Sequence, residues 1–251
     1  MLLKSTKNPF DAPVGNPVVG SDRAWIPSGS TAIIGSRCEL VPLIASKHAQ
    51  DLFEAFQGDD ELWNYLPQGP FDGLEDFLGW IEKVQGRQEP LFYSIIEKDS
   101  GKAVGVSAYL RIDSSARSIE VGWLTFSSRM QKSPLATEAM FLMMQNAFEL
   151  GFRRYEWKCN ALNYPSITAA HRLGMSFEGV FRQATTVKGH NRDTAWFSII
   201  DADWPKAKRA FESWLSVENF DASGNQLTRL SELTAPLVKD RWPNLRVEIE
   251  S

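Results

Sequence analysis

The sequence predicts a mixed α+β domain, with one central, mostly antiparallel sheet of about seven strands flanked by helices. Segments of strand and helix character interleave over 37–204 in the order β-α-α-β-β-β-α-β-α-β-β, which suits one sheet with helices packed on it. The three consecutive strand segments in the middle are joined by short polar turns, so they pair as antiparallel hairpins. The strongest helical stripe comes after the third of them and is read as a crossover. Of the 251 residues, 43% are hydrophobic and 23% charged, which is ordinary for a globular chain. This length admits one large domain or a domain with extensions.

Residues 1–36 are rich in Pro, Gly and Ser and read as an extended N-terminal arm. A first strand spans 37–43. A helix over 46–57 is implied by the spacing of Ala49, Leu52, Phe53 and Phe56, and a second over 72–84 by Leu74, Phe77, Leu78 and Ile81. Between them lies an aromatic, turn-laden segment, 63–71. Strands are expected at 91–97, 103–112 and 118–126, with Asp99-Ser100-Gly101-Lys102 as the first turn. Ala136, Ala139, Met140, Met143, Ala147 and Phe148 form the stripe of a helix over 135–150, closed by Gly151. A strand at 154–159 and a short helix at 165–173, ended by Gly174, come next. A hairpin of 177–187 and 194–200 turns at Lys188-Gly189-His190-Asn191. The domain is placed at 37–204, with a C-terminal helical extension at 205–251. That extension has a helix at 205–215 and a helical piece near 227–237.

Several classes of function are disfavoured. A formal net charge of −4 gives no electrostatic case for nucleic acid. The two cysteines, Cys38 and Cys159, make no metal-ligand spacing or disulfide framework, and with three histidines no metal site is expected. No run approaches the roughly 18 apolar residues of a membrane span, and the first residues lack a signal core. A reducing, cytoplasmic location is expected. Nine Trp suggest a partly apolar, aromatic-lined cleft.

The segment from Arg129 to Ala139 carries the clearest chemistry, because a strand, a basic loop and a helix start meet there. Ser133 is a good N-cap and Pro134 falls at the first helical position. The amides of Leu135 and Ala136 would then be left open at the positive end of the helix dipole, where phosphate binds. Arg129 and Lys132 add positive charge, and small Ala136 permits close approach. An ordinary capped helix remains the plainer reading of the loop taken alone.

Gln131-Lys132-Ser133-Pro134-Leu135-Ala136 resembles the acyl-CoA pyrophosphate loop, Q/R-x-x-G-x-G/A, of the GNAT N-acetyltransferases. The resemblance is closest to the branch containing the ribosomal-protein N-terminal acetyltransferases. Glu120-Val121-Gly122-Trp123 is similar to its central-strand E-x-G-[YW]. Asn163-Tyr164-Pro165-Ser166 with Arg172-Leu173-Gly174-Met175 resembles N-x-x-S…k-L-G-F. Gly189-His190-Asn191-Arg192-Asp193 resembles its late G-x-x-R-D hairpin, and 63–71 its W-x-Y-L-P-x-G-P-F segment. The matches run in order over about 37–204. Two positions depart: Pro134 replaces a loop glycine and removes one N–H donor, and Ala170 stands where the family often has an acid tyrosine.

The resemblance implies acetyl-CoA as co-substrate, bound by Arg129, Gln131, Lys132, Ser133, Pro134, Leu135, Ala136 and Thr137. It also implies backbone N–H groups near Trp123 and Leu124 on the thioester and pantetheine arm, with Asn163 hydrogen-bonded to that arm. Acyl transfer to an amine needs a neutral nucleophile, a proton acceptor and oxyanion donors. Glu120 is the candidate base, read as an isolated carboxylate that desolvation would raise in pKa. Ser166 is a candidate near the leaving thiolate. Trp63, Tyr65 and Phe71 are candidates to cover the substrate. His171 is read as a surface histidine, and Arg192 with Asp193 as a structural pair without chemistry. The expected activity is acetyl transfer to a primary amine of a small molecule or peptide N-terminus. A non-catalytic acyl-CoA-binding regulator is the alternative, motivated by Pro134 and Ala170. The extensions are expected to wrap the domain or build a homodimer contact.

Overall fold

The computed structural model describes residues 5–243. In chain order the elements are β1 (Ser5–Lys7), β2 (Pro13–Gly15), β3 (Ile33–Ile34), β4 (Cys38–Pro42), α1 (Ala45–Phe56), α2 (Leu74–Val84), β5 (Leu91–Glu97) and β6 (Ala103–Asp113). They continue with β7 (Ser118–Phe126), α3 (Pro134–Glu149), β8 (Arg154–Asn160), α4 (Tyr164–Arg172), β9 (Ser176–Val187), β10 (His190–Ile200), α5 (Trp204–Leu215) and α6 (Leu230–Thr234). Eight strands form one sheet in the order β3-β4-β5-β6-β7-β8-β10-β9, and β1–β2 form a separate ribbon. Every neighbouring pair in the large sheet is antiparallel except β7–β8, which α3 joins as a parallel crossover. The eighth strand, β3, is two residues long, too short for the alternation that reveals strands in sequence.

Alternation along the strands divides the core into two layers. Tyr155, Trp157, Ile119, Val121 and Phe197 bury against α3, α4 and α5. Phe92, Val106 and Ala108 bury against Leu52 of α1 and Phe77 and Ile81 of α2. On the α1–α2 side the sheet's other half carries charged side chains from β7, β8 and β9.

α3 is fixed at its start and along its length. The Ser133 side chain accepts the Ala136 N–H, and Pro134 occupies the first turn. Buried Glu138 accepts the backbone N–H groups of Ser36 (3.2 Å), Arg37 (2.6 Å) and Cys38 (2.9 Å), locking the β3–β4 turn onto the helix. At the other end of the chain, Trp204 stacks on Phe148 at 4.8 Å and Phe211 on Phe141 at 5.4 Å. Past α6, Phe177 N–H donates to the Asp240 carbonyl at 2.9 Å. The expected helical piece near 227–237 is shorter, namely α6 and a 3₁₀ turn at Ala235–Leu237. Residues 244–251 of the proposed extension lie outside the described residues. The N-terminal arm is anchored at 21–25, where the N–H groups of Ala24 and Trp25 donate to the Ser114 and Leu150 carbonyls at 2.9 and 2.8 Å. The ribbon before it is exposed throughout.

Candidate active site

The site starts from an interruption in the sheet. β7 and β8 pair only from Ser118–Arg154 to Val121–Trp157. Both strands continue, β7 to Phe126 and β8 to Asn160, each keeping its partner on the far side. The cause lies in β7: the β6 register advances two residues from Val106 to Ala108 while β7 moves three, from Thr125 to Gly122. The extra residue is a bulge, and Trp123 within it has φ +54°. Its ring is held by Trp80 at 6.3 Å and Phe92 at 5.4 Å. The side of Gly122–Phe126 that faces β8 is therefore left without a ladder, and an extended ligand can lie there as an added strand.

The next loop delivers the α3 N-terminus to the end of this wedge. Ser133 Oγ donates to the Met130 carbonyl at 2.6 Å and accepts from Ala136 N–H at 3.3 Å. The Ala136 amide is thus already occupied, contrary to the expectation that it stays open. Among the described residues the amides of Lys132, Ser133 and Leu135 have no partner. Arg129 is also committed, to Glu97 of β5, and the Gln131 amide group donates to the Phe126 carbonyl at 2.8 Å. Lys132, exposed at φ +56° and free of any ion pair among the described residues, is the loop's available cation. Thr137 is buried behind the loop: its hydroxyl donates to the Ser133 carbonyl at 3.4 Å and accepts from Arg172 at 3.1 Å. Asn163 caps α4, its side chain accepting the Ser166 N–H at 3.1 Å.

Glu120 is not the isolated carboxylate that its sequence neighbours suggest. It is 4% exposed, paired with Lys158 at 2.9 Å and with Arg111. Lys158 is itself buried, reaches Glu156 at 2.7 Å and lies 3.7 Å above the Trp196 ring. Arg154 then links Glu156 at 2.6 Å to Glu178. Burial opposes the ionised form of Glu156, yet hydrogen bonds from Arg154 and Lys158 hold it below the usual carboxylate range. A cleft of about 720 Å³ opens over this row, lined by Arg111, Glu156, Lys158 and Trp196 with Glu89 and Arg23. Its lining mixes charged side chains with Ile112 and one aromatic wall, Trp196, so it is only partly apolar.

On the other side of β8, Ser166 Oγ accepts from Trp157 Nε1 at 2.9 Å. Cys159 is its neighbour; burial pushes that thiol up to about 11, partly offset by the hydrogen bond to Ser166. The aromatic segment is mostly core. Trp63 is 5% exposed, edge-on to Phe56 at 5.7 Å and Phe71 at 5.1 Å, while Phe71 packs on Phe77 at 5.2 Å. Trp63 is thus corrected from substrate cover to core, and half-buried Phe71 packs against that core. Tyr65 remains at the mouth, donating its hydroxyl to the Leu162 carbonyl at 3.1 Å.

His171 is not a free surface histidine. Its Nε2 accepts the Trp242 N–H at 3.0 Å, so Nδ1 carries the proton and donates to the Met175 carbonyl at 3.1 Å. Arg192 and Asp193 do not pair with each other. Asp193 accepts from Gln183 N–H at 2.7 Å and Asn191 at 2.9 Å. Lys158, the cation that joins Glu120 to Glu156, was missed by sequence; its one signal was alternation with Glu156 on a single strand face.

The acetyltransferase (GNAT) domain family matches residues 37–176. The chain belongs to the GNAT acetyltransferase family. It is an acyltransferase by that membership. A solved GCN5-related N-acetyltransferase from Brucella melitensis is 41% identical, covering 86% of this chain and 98% of that one, with a TM-score of 0.83. The N-acetyltransferase YnaD of Bacillus subtilis is 24% identical over 159 residues, 63% of this chain and 91% of YnaD. The fold alone is shared with the microcin C7 self-immunity acetyltransferase MccE, solved with acetyl-CoA and AMP, at 21% identity and a TM-score of 0.58; the match covers 66% of this chain and 93% of MccE. It is likewise shared with a ribosomal-protein-serine acetyltransferase from Vibrio cholerae at 20% and 0.58, covering 69% and 99% of the two chains. Among the described residues no group of three or more His, Cys, Asp or Glu is placed to hold a metal, and no helix is long and apolar enough to cross a membrane.

Proposed function

We propose that this GNAT protein transfers the acetyl group of acetyl-CoA to a primary amine of a small molecule or peptide N-terminus. The observation that carries the reading is the wedge where β7 and β8 part after Val121 and Trp157, leading into a loop with open amides at the α3 N-terminus. The pantetheine arm lies along Gly122–Phe126, its pyrophosphate on the amides of Lys132, Ser133 and Leu135 with Lys132 alongside. Leu135, Lys132 and Ser133 together offset the donor lost at Pro134. MccE, which shares the fold, supports the choice of acetyl-CoA.

The amine attacks the thioester carbon from the Glu120 side, and N–H groups of the bulge hold the oxyanion. Glu120 takes the amine proton when Arg111, whose side chain is 61% exposed, swings off; buried Lys158 stays and keeps the carboxylate in place. The intermediate collapses, the C–S bond breaks, and the leaving thiolate accepts a hydrogen bond from the Ser166 hydroxyl and takes its proton from solvent, to which Glu120 returns the amine proton. That hydrogen bond is the task for which Ala170, in place of an acid tyrosine, leaves Ser166 as the near donor. A reducing compartment suits the two free, buried cysteines.

Thiol release from acetyl-CoA, measured against a panel of amines, amino acids and peptides, tests the reading. At least one acceptor is expected to raise release well above background, and Glu120→Gln to lose turnover while still binding acetyl-CoA. Acetyl-CoA binding with no acceptor turned over would instead favour the regulator reading, to which Pro134 and Ala170 point.

A further inference from the structure

Among the described residues, Arg192 of β10 is a half-buried cation without a carboxylate partner. Three contacts join the segments next to it in the fold. Lys188 Nζ, at the β9–β10 turn, donates to the Trp63 carbonyl at 2.6 Å. Tyr65 donates to the Leu162 carbonyl, and Ala161 N–H donates to the Asp193 carbonyl at 2.8 Å. The hairpin, the α1–α2 segment and the β8–α4 loop thus meet at one mouth, with Arg192 between Lys188 and Asp193.

Arg192 is half-buried, and its Nε is fully buried without a hydrogen-bond partner. No carboxylate pairs with its guanidinium among the described residues. The neighbouring carboxylate, Asp193, is occupied by Gln183 and Asn191. Glu120, whose charge Arg192 feels, is already shared by Lys158 and Arg111. Other shielded cations here are provided for: Arg154 and Lys158 have carboxylates, Arg117 the Ser21 carbonyl, and Arg172 the Thr137 hydroxyl and the Trp214 ring. Burial is the chief cause that drives the Arg192 pKa down. An unpaired, partly desolvated guanidinium is unfavourable until an anion arrives, and its planar fork matches a carboxylate.

We propose that Arg192 anchors a carboxylate of the acceptor, so that the amine substrate is an amino acid or another amine that also bears a carboxylate. The inference rests on the acetyl-transfer reading above. A single free fork, with the adjacent Lys188 committed to a carbonyl, suits a singly charged carboxylate better than a phosphate dianion. Lys158 and Glu156 then form the floor beside the substrate's amine, and Arg192 sets which end of the substrate points outward.

The test compares kcat/KM for an amino acid with that for its carboxamide and for an aminoalkyl phosphate of similar length. The wild-type protein is expected to favour the carboxylate over the carboxamide by about 10-fold or more, the scale of one charged hydrogen-bonded contact. Arg192→Gln is expected to collapse that ratio towards one, and Arg192→Lys to restore part of it, while acetyl-CoA affinity by calorimetry stays within about twofold. A structural role predicts a lower melting temperature for Arg192→Gln, whereas removing an unpaired cation predicts an unchanged or higher one. Equal loss on carboxylate and carboxamide, weakened acetyl-CoA binding, or preference for the phosphate would overturn the proposal. If no amine is turned over, the acetyl-transfer reading fails and the anion site is still measured. Millimolar amino acid and N-acetyl amino acid should then raise the melting temperature of the wild type and not of Arg192→Gln, and no such shift in the wild type refutes the site.

Discussion

Lys158→Met is the most exposing perturbation of this molecule. Glu120 and Glu156 are register partners on the parallel β7–β8 pair, so two acids stand side by side. Lys158 lies between them, at 2.9 and 2.7 Å, and is 3% exposed. Like charges directly opposite on a sheet are unfavourable, and removing one partner of a buried ionic group costs about 3–5 kcal/mol. For a chain of this size each kcal/mol moves the melting temperature by about 2–4 °C, so Lys158→Met is expected to lower it by about 10 °C. Loss of the ammonium from the Trp196 face adds about 0.5–2 kcal/mol, partly recovered by the methionine sulfur. Adding Glu120→Gln and Glu156→Gln to Lys158→Met removes the repulsion between the two acids and should recover at least half of the loss. Denaturant and thermal unfolding at neutral pH give both numbers. If Lys158→Met costs less than about 1 kcal/mol, or if the triple variant is no better, the three groups are not a coupled unit.

Other perturbations probe the remaining contacts. Glu138→Ala strips the shared acceptor from three backbone N–H groups, and an unfolding loss of about 3–5 kcal/mol is expected; a change within about 1 kcal/mol would show the β3–β4 turn held by something else. A Cβ on Gly69, at φ +67°, would stand 2.4 Å from the Trp63 ring, so Gly69→Ala should cost about 2 kcal/mol and raise acceptor KM, checked by melting and steady-state rates. His171 has its pKa lowered by burial, so the unfolded chain binds the proton more readily. Its stabilisation is full above about pH 6.5 and is lost as pH falls through the lower folded value, and His171→Gln should flatten the acid limb of melting temperature against pH without abolishing it, since His48 is lowered too. Deleting residues 1–30 removes the Ser21 carbonyl from Arg117, which is 6% exposed; either the melting temperature or the oligomeric state should fall, and no change in both refutes a structural or dimer role for the arm.

The range of each interaction decides whether it can be read from sequence. α3 and β7 were legible because periodicity and caps are local: Ser133, Pro134 and Gly151 act within a turn or two of themselves. The pairing of charges was not, because it depends on strand order. Glu120 looked isolated beside Ile119 and Val121, yet alternation turns those residues to the other face, and its partners come from β6 and β8. Arg129 looked free for phosphate, but β5 brings Glu97 to it from 32 residues away. Trp63 and Phe71 sat in a turn-rich segment where either orientation was open. Gly69, pressed against the Trp63 ring, allows the chain to fold over it and seal that ring in. The free guanidinium of Arg192 was hidden for the same reason, since sequence places Asp193 beside it and alternation sends the two apart.

The family match ends at residue 176, yet the helix that carries Ser166 depends on residues beyond that point. α4 is nine residues long, about 13 Å. Its first turn holds Ser166 against Trp157 of β8. Its last turn is clamped from outside the matched region: Thr234 Oγ1 donates to the Arg172 carbonyl at 2.9 Å, Trp242 N–H donates to His171, and the Arg172 guanidinium rests 5.0 Å from the Trp214 ring. Arg172 in turn reaches Thr137 in the first turn of α3, just behind the loop before that helix. The extension therefore braces both helices whose N-termini face the wedge, without touching the reacting atoms itself. A helix this short has little stability of its own, so a fixed Ser166 requires the brace. Shortening the chain at residue 228 should then reduce kcat before it abolishes acetyl-CoA binding, because the loop amides are held locally by Ser133 and Met130, whereas the position of Ser166 is held by the tail.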